Sequence, residues 1–341
     1  MKLNLTFRMK IILMSVSLII LTASTIGFAT LPRIREALLE DRLAELSTDI
    51  EVQGIRFTSD IEALNSEVLF MSTLPAVQGI TRAIEAGGVD PIDLTTDALW
   101  RTQLAEIFSE LLSSKSNYIS LRYISRDNDG LELVHVTRTD DVVRVLGRRE
   151  LGINVEDDYF LNAIPLENGE IYYSEITLQQ NAEDTTTSVL YVSTPVYSDN
   201  GSVFGVIVIA MDVGKTFEQM NAFVGDNQNL YITNQSGNYL FNSENPESVF
   251  DVETNQSSRI QDDFTGLIPD VEAVNGELGT VTSNLSGNLA LQITNVGYDP
   301  LNTERLIGIT ITTPASEITG EVDQFIFQAF AFSVILTSET C

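Results

Sequence analysis

The pattern of apolar and polar residues changes twice along the chain. Residues 11–31 form an uncharged apolar run of 21 residues, which as a helix is long enough to cross about 30 Å of hydrocarbon. Residues 32–84 then repeat apolar positions every three or four residues, which predicts a long helix. From Tyr118 onward the period becomes two, which predicts β-strands.

The period-two segments fall into two groups separated by a helix-like segment over residues 213–224. The first group predicts strands at Tyr118–Ser125, Leu131–Arg138, Ile171–Leu178, Ser188–Tyr197 and Val203–Asp212. The second group contains "NLYITNQSGNYLFN" and "LALQITNVGYDPLNTERLIGITITT". Each group ends in a strand that leads into a helix, so an α+β fold is expected, with two tandem antiparallel-sheet modules carried by an N-terminal transmembrane helix and a long stalk helix.

Basic residues set the expected orientation of the first apolar run. Lys2, Arg8 and Lys10 precede it, which predicts a cytoplasmic N-terminus and an external remainder. A cleavable signal peptide is the alternative, although its apolar core is usually about 7–15 residues long. The second apolar run, Phe325–Leu336, is too short to cross a bilayer. It is interpreted either as a buried terminal helix or, preferentially, as the start of a second membrane helix that is cut short.

The net charge and the scarcity of cysteine and histidine exclude several classes of function. The formal net charge is −29, and residues 36–323 carry 47 of the 48 acidic residues but 14 of the 19 basic ones. Such a surface repels nucleic acid and is typical of an acidic ectodomain. With one cysteine and one histidine, disulfide frameworks and the common catalytic triads are excluded. No catalytic residue, metal site or cofactor is predicted; adjacent acids such as Asp157 and Asp158 point apart on a strand and suit a hydrolase poorly.

Several segments together resemble the extracytoplasmic double Cache sensor region of bacterial transmembrane receptors. They are the anchor leading into a long helix, "YISLRYISRDNDGLELVHVTR", "DDYFLNA" before "IYYSEI", and "VLYVSTPVYSDNGSVFGVIVIAMDV". The later "NLYITNQSGNYLFN" and "ERLIGITITTP" resemble the membrane-proximal module. The resemblance covers about residues 32–323. It implies a PAS-like sheet in each module and a small-molecule ligand in the membrane-distal one.

The resemblance also implies an arrangement of domains and a role. The expected division is residues 1–10 in the cytoplasm, 11–31 in the membrane, 32–220 as long helix plus membrane-distal module, 221–323 as membrane-proximal module, and 324–341 as the start of a second membrane helix. A homodimer in the bacterial inner membrane is expected, acting as the input part of a sensor histidine kinase, or else of a chemotaxis receptor or diguanylate cyclase. The alternative is a membrane-anchored binding protein without a cytoplasmic output.

Arg122 is the leading candidate for ligand contact. Strand alternation places Tyr118, Ser120 and Arg122 on one face and Ile119, Leu121 and Tyr123 on the other. A half-buried guanidinium needs an anion or several acceptors, and a ligand carboxylate suits its planar fork. The alternative is an internal salt bridge to Asp157, Asp158 or Glu175. The spacing of Tyr118 and Arg122 differs from that of amino-acid-binding members, so the resemblance does not carry an amino-acid ligand over to this chain.

The resemblance adds weaker candidates. Tyr159, Tyr173 and Ser174 match positions in pocket-lining segments, with ordinary packing as the alternative. Arg138, on the partner strand with His135, is a further candidate, although a solvated or salt-bridged role is preferred for both. Asp212 suits capping of the next helix as well as contact with a ligand amine.

Overall fold

The computed structural model describes residues 7–127, 129–139, 141–180, 186–249, 258–264, 282–286, 289–314, 320 and 324. Its backbone is organised along one long helix, α1 (Phe7–Ser72), of 66 residues, which spans about 100 Å at 1.5 Å per residue. The C-terminal part of α1 buries one stripe of apolar side chains, including Ile50, Phe57 and Leu64, each fully buried. This stripe confirms the helical periodicity read from the sequence.

The long helix ends earlier than the periodicity predicts. After Ser72 the chain turns, and α2 (Pro75–Glu85) begins with Pro75 in its first turn. Proline lacks the N–H that a continuing helix needs but fits the first turn of a new one. The single helix expected over residues 32–84 is therefore two helices, and α3 (Asp97–Ser114) follows, capped by the Thr96 hydroxyl.

Within the described residues, no helix combines the length and the apolar character that a membrane crossing requires. The predicted anchor over residues 11–31 stays a prediction. The second apolar run, Phe325–Leu336, lies outside the described residues.

In the part of the chain that the structure describes, the first sheet has seven strands. Their bounds are β1 (Tyr118–Ser125), β2 (Glu132–Thr139), β3 (Val142–Val145), β4 (Tyr172–Tyr173), β5 (Thr177–Gln180), β6 (Thr186–Tyr197) and β7 (Val203–Asp212). The order across the sheet is β3-β2-β1-β7-β6-β4, with β5 also pairing with β6. The predicted bounds of β1 and β7 are confirmed, whereas the strand predicted over Ile171–Leu178 is divided into β4 and β5. The short helix α4 (Asp158–Leu161) precedes β4.

The second sheet has five strands in the order β10-β11-β12-β8-β9. Their bounds are β8 (Asn229–Asn234), β9 (Tyr239–Asn242), β10 (Thr282–Ser286), β11 (Leu289–Gly297) and β12 (Leu306–Pro314). Helix α5 (Val213–Asn221) connects β7 to β8 along the chain; a 3₁₀ helix, Pro246–Val249, and α6 (Ile260–Asp263) follow β9. Two antiparallel sheets with helices confirm the α+β class, and the module boundary after residue 220 stays a prediction.

Each sheet turns one face toward α1. Leu121, Ile207 and Ile209 of the first sheet belong to the same apolar cluster as the α1 stripe, and so do Ile232 and Ile309 of the second. The opposite faces carry separate clusters. One long helix therefore supports both sheets through a continuous core, and each sheet has a face directed away from α1.

Candidate functional site

The candidate site is built on one row of residues that crosses the first sheet. His135, Arg122, Val208, Ser193 and Tyr172 are direct pairing partners on β2, β1, β7, β6 and β4. Directly opposed residues on neighbouring strands point to the same face of a sheet. Because Ile207 and Ile209 of β7 face α1, this row faces away from it.

Tyr118 does not share this face. The pairing of β1 with β7 shifts between Tyr118 and Ser120, so Ile119 is an extra residue in the strand. Such a bulge reverses the alternation on one side of it, and the Tyr118 hydroxyl donates to Glu67 of α1. The prediction that Tyr118 shares a face with Arg122 is therefore wrong.

Arg122 is held by polar groups from three parts of the chain. Its Nη1 donates to Tyr159 Oη at 2.6 Å and to Asn154 Oδ1 at 3.4 Å. Its Nε lies 3.8 Å from Glu132 Oε1, too far for a hydrogen bond, and this buried Nε has no hydrogen-bond partner among the described residues. The alternative expected for Arg122, an internal salt bridge, is present, but its partner is Glu132 of the neighbouring strand and not Asp157, Asp158 or Glu175.

Glu132 is a buried carboxylate at the centre of this cluster, with an exposure of 3%. Its Oε2 accepts the Gly152 N–H at 2.8 Å and contacts His135 Nδ1 at 3.0 Å. Burial alone would raise the pKa of Glu132, but the His135 and Gly152 contacts, with the charge of Arg122, stabilise the anion and lower the pKa overall. Glu132 is thus ionised beside Arg122.

Glu132 determines which ring nitrogen of His135 carries a hydrogen. A carboxylate only accepts hydrogen bonds, so His135 Nδ1 carries a hydrogen toward Glu132. The other ring nitrogen, Nε2, is buried and has no partner among the described residues. The two side chains are three positions apart yet share a face, because the β1–β2 register shift makes Leu133 an extra residue.

A segment that we call the covering segment, residues 154–166, lies over the row. Its Tyr159 packs on Tyr191 of β6 with ring centres 4.8 Å apart. The Tyr159 hydroxyl is within 2.8 Å of both Asn154 Oδ1 and Asp157 Oδ2, either of which accepts its proton. Burial raises the pKa of Tyr159; Arg122 opposes this and Asp157 adds to it, so the phenol stays neutral.

Side chains of β6 tie the covering segment to the sheet. Ser193 Oγ donates to the carbonyl oxygen of Tyr159 at 2.7 Å. Tyr197 Oη donates to the carbonyl oxygen of Leu166 at 2.7 Å. Phe160 packs with Tyr159 against Val208 of the row. The covering segment is therefore bonded to β6 at its middle, beside the aromatic cluster, and at its C-terminal end.

Two of the other predicted residues have structural partners away from Arg122. Arg138 donates to the carbonyl oxygens of Leu112, Lys115 and Tyr118, so its guanidinium binds the C-terminal end of α3. Asp212 accepts the Lys215 N–H and caps α5. Burial raises the pKa of Asp212, although the N–H groups of Lys215 and Gly214 oppose this.

Tyr173 and Ser174 lie at the far edge of the sheet from Arg122. Tyr173 is buried in the cluster that faces α1, and burial, with a contribution from Asp299, raises its pKa to about 12. Ser174 pairs with Tyr191 through a backbone bond and through its hydroxyl, each 2.9 Å long. The structure thus brings Arg122 together with Tyr159, and it separates Tyr118, Tyr173, Arg138 and Asp212 from this cluster.

The site contains three residues that sequence reasoning missed. Glu132, Asn154 and Tyr191 contact Arg122 or Tyr159. In the sequence, Glu132 lies in the same predicted strand as His135, the one histidine of the chain. This proximity was the sequence feature that could have identified Glu132 as part of the site. Two buried polar atoms of the cluster, Nε of Arg122 and Nε2 of His135, lack a hydrogen-bond partner among the described residues.

The chain is similar to known proteins in both sequence and fold. The family model described as bacterial histidine kinase, sensor domain, matches residues 94–271, more than half of the chain. No curated protein matches this chain. The matched range includes the whole Arg122 cluster.

Solved structures share this fold over most of the chain. An extracellular domain described as that of the histidine kinase vpHK1S-Z8 is 12% identical, with a TM-score of 0.64, covering 85% of this chain and 96% of that one. A domain described as that of a sensory box/GGDEF protein from Vibrio parahaemolyticus is 14% identical, with a TM-score of 0.62, covering 84% and 99%. The ligand-binding domain of the Campylobacter jejuni chemoreceptor Tlp3 in complex with L-valine is 14% identical, with a TM-score of 0.51, covering 84% and 98%.

Proposed function

The chain belongs to the bacterial histidine kinase sensor domain family, and we propose that it is the external input part of a membrane receptor that binds a small molecule through the Arg122 cluster. In this proposal residues 11–31 cross the inner membrane, α1 extends outward as a stalk, and the receptor works as a homodimer. The output is a sensor histidine kinase in preference to a chemotaxis signalling domain or a diguanylate cyclase. The family assignment supports that order, because its description names histidine kinases.

The observation that carries the proposal is the incomplete bonding of Arg122. Its Nη1 is well bound, whereas its Nε is buried without a hydrogen-bond partner among the described residues. A buried donor without an acceptor costs about 1–3 kcal/mol. A ligand that brings an acceptor to Nε recovers this free energy, so the apo protein is poised for such a ligand.

We propose a carboxylated small molecule as the ligand class. A carboxylate presents two acceptor oxygens that match the guanidinium fork. Glu132 already lies near Arg122 at 3.8 Å, so the ligand carboxylate competes with an internal one. The Tlp3 domain is described in complex with L-valine, itself a small carboxylated molecule, which supports the class and leaves the compound open.

Ligand binding is proposed to shift a pre-existing equilibrium of the covering segment. Tyr159 contacts Arg122 directly and carries the covering segment with it. A ligand that rearranges the bonds of Arg122 therefore also changes the preferred position of Tyr159. Only a difference in affinity between two conformations drives such a shift.

The test is a thermal-shift screen of the full chain in mild detergent against a panel of carboxylated metabolites. Binding raises the melting temperature by mass action. We expect hits that stabilise the wild type and the control variant Arg126→Ala, whose exposed arginine lies outside the cluster. The variants Arg122→Ala and Arg122→Lys are expected to lose the response. Hits that are unchanged in folded Arg122→Lys would refute the assignment.

The competing function is a membrane-anchored binding protein without an output. The two are separated by joining residues 1–324 to the second membrane helix and cytoplasmic part of a characterised sensor kinase and measuring a reporter gene with each hit from the screen. A receptor gives a hit-dependent reporter change that Arg122→Lys removes. An anchored binder gives binding in the thermal-shift assay and a constant reporter signal.

A further inference from the structure

The loop between β11 and β12, residues 298–305, reaches from the second sheet to the edge of the first. Arg305 Nη2 donates to Tyr172 Oη at 3.3 Å, and the guanidinium carbon lies 4.8 Å from the centre of the Tyr172 ring. Tyr298 Oη donates to the carbonyl oxygen of Ser174 at 3.3 Å. This loop therefore contacts the residues on either side of Tyr173 in the chain.

Tyr172 is also the last member of the row that contains Arg122. It pairs with Ser193 and packs against the cluster of Tyr159 and Phe160. With β7 and β6 between them, Arg122 and Tyr172 stand three strand spacings apart, about 14 Å at about 4.8 Å per spacing. One aromatic ring thus touches both the covering segment of the candidate site and a cation of the second sheet.

Arg305 has partners for more than one arrangement. Its side chain is 15% exposed, and its Nη1 lies 3.6 Å from Asp299 Oδ2 without a hydrogen bond among the described residues. If Tyr172 moves away, the guanidinium retains Asp299 as a neighbouring anion and closes on it. A residue that exchanges between two sets of contacts is what a two-state coupling element requires.

We propose that Tyr172 and Arg305 form a coupling contact between the Arg122 site and the membrane-proximal sheet. A displacement of the covering segment removes packing from the Tyr172 ring, and Arg305 transmits that change to the β11–β12 loop and to β12. The proposal rests on the proposed function, which makes the Arg122 cluster the place where the signal enters. Coupling of this kind is reciprocal, since a change in either partner shifts the other.

The test is hydrogen exchange of the full chain in mild detergent, with no ligand added. The variant Arg305→Lys keeps the charge but loses the planar stacking and the fork of donors. We expect the backbone amides of the covering segment that are bonded within it to exchange about threefold faster or more, as expected for weakened local structure. They are those of Phe160, Leu161, Asn162, Ile164 and Leu166. Glu304→Gln, an exposed change in the same loop, is the control and leaves these amides unchanged.

The reverse perturbation uses Phe160→Leu, a modest change in the covering segment. We expect faster exchange of the Tyr298 and Arg305 amides, which are bonded within their own loop, and a smaller effect when Tyr172→Phe is combined with it. Purely local exchange effects of Arg305→Lys and Phe160→Leu would overturn the coupling. Because no ligand is used, that outcome leaves the binding proposal standing, and a failed ligand screen leaves this measurement interpretable.

Discussion

Replacing Glu132 by glutamine tests whether the polar cluster is held by a buried charge. Glutamine keeps the size and an acceptor oxygen for the Gly152 N–H, which lies 2.8 Å from Glu132 in the native structure. It removes the negative charge 3.8 Å from Arg122 Nε. At an effective dielectric constant of about 20, that attraction is about 4 kcal/mol. Part of this is offset, since the buried carboxylate no longer has to be desolvated.

Removing one partner of a buried ion pair costs about 3–5 kcal/mol, and the retained Gly152 bond places Glu132→Gln at about 3 kcal/mol. For a domain of about 150–250 residues, each kcal/mol lowers the melting temperature by about 2–4 °C. We therefore expect Glu132→Gln to melt about 6–12 °C below the wild type at pH 7.5. The assay is thermal unfolding of the full chain followed by circular dichroism. The control Glu156→Gln removes an exposed acid near Asn154 and is expected to leave the melting temperature unchanged.

The same variant gives a pH dependence of known sign. The folded-state pKa of Glu132 is lowered, so its ionised form contributes stability above the ordinary carboxyl pKa, and this stability is lost as the pH falls through the lowered folded-state pKa. The gap between wild type and Glu132→Gln therefore narrows in acid, where both side chains are neutral. Two results would refute the assignment of a charged cluster. One is a difference in melting temperature between wild type and Glu132→Gln of less than about 1 °C at pH 7.5. The other is an equal difference at pH 7.5 and at pH 3.

Two further predictions concern the scaffold. Asp90 is fully buried and binds Arg82 through two hydrogen bonds of 2.7 and 3.1 Å. We therefore expect Asp90→Asn to lower the free energy of unfolding, measured in urea, by about 3 kcal/mol or more. The exposed control Glu85→Gln is expected to leave it unchanged, and equal stability of the two variants would contradict the prediction. A Cβ on Gly205 would lie 2.3 Å from the Ile124 carbonyl oxygen. We therefore expect Gly205→Ala to separate β1 from β7 and to speed hydrogen exchange of their paired amides. Exchange of these amides at the wild-type rate would contradict the close approach.

The sequence pattern predicts the elements well where local alternation agrees with the final pairing. The bounds of β1 and β7 follow from their period of two. The faces of β1 are less predictable, because a single extra residue at Ile119 turns Tyr118 toward α1 and leaves Arg122 on the other side. A bulge is created by the partner strand and has no signature in the alternation itself.

The partners of Arg122 show the same limit in the site. Asn154 lies 32 positions away in a loop, and its approach depends on how that loop crosses the sheet. From the sequence alone, Glu132 is expected to be a solvent-exposed strand residue, because glutamate is seldom buried unless it is paired. Its burial follows from the extra residue at Leu133 and from the Gly152 N–H, both of which are tertiary features.

Under the proposed function, the internal pairing of Arg122 limits how much free energy a ligand can gain at the cluster. A guanidinium with no internal anion would bind any acid strongly, whereas Arg122 already has the charge of Glu132 at 3.8 Å and the Tyr159 hydroxyl at 2.6 Å. A ligand gains only the difference between its own contacts and those it displaces, so occupancy is coupled to a change at Tyr159. In the proposed receptor, a ligand therefore binds more weakly than it would to an unpaired guanidinium, and its binding changes the contacts of Tyr159, as a receptor requires.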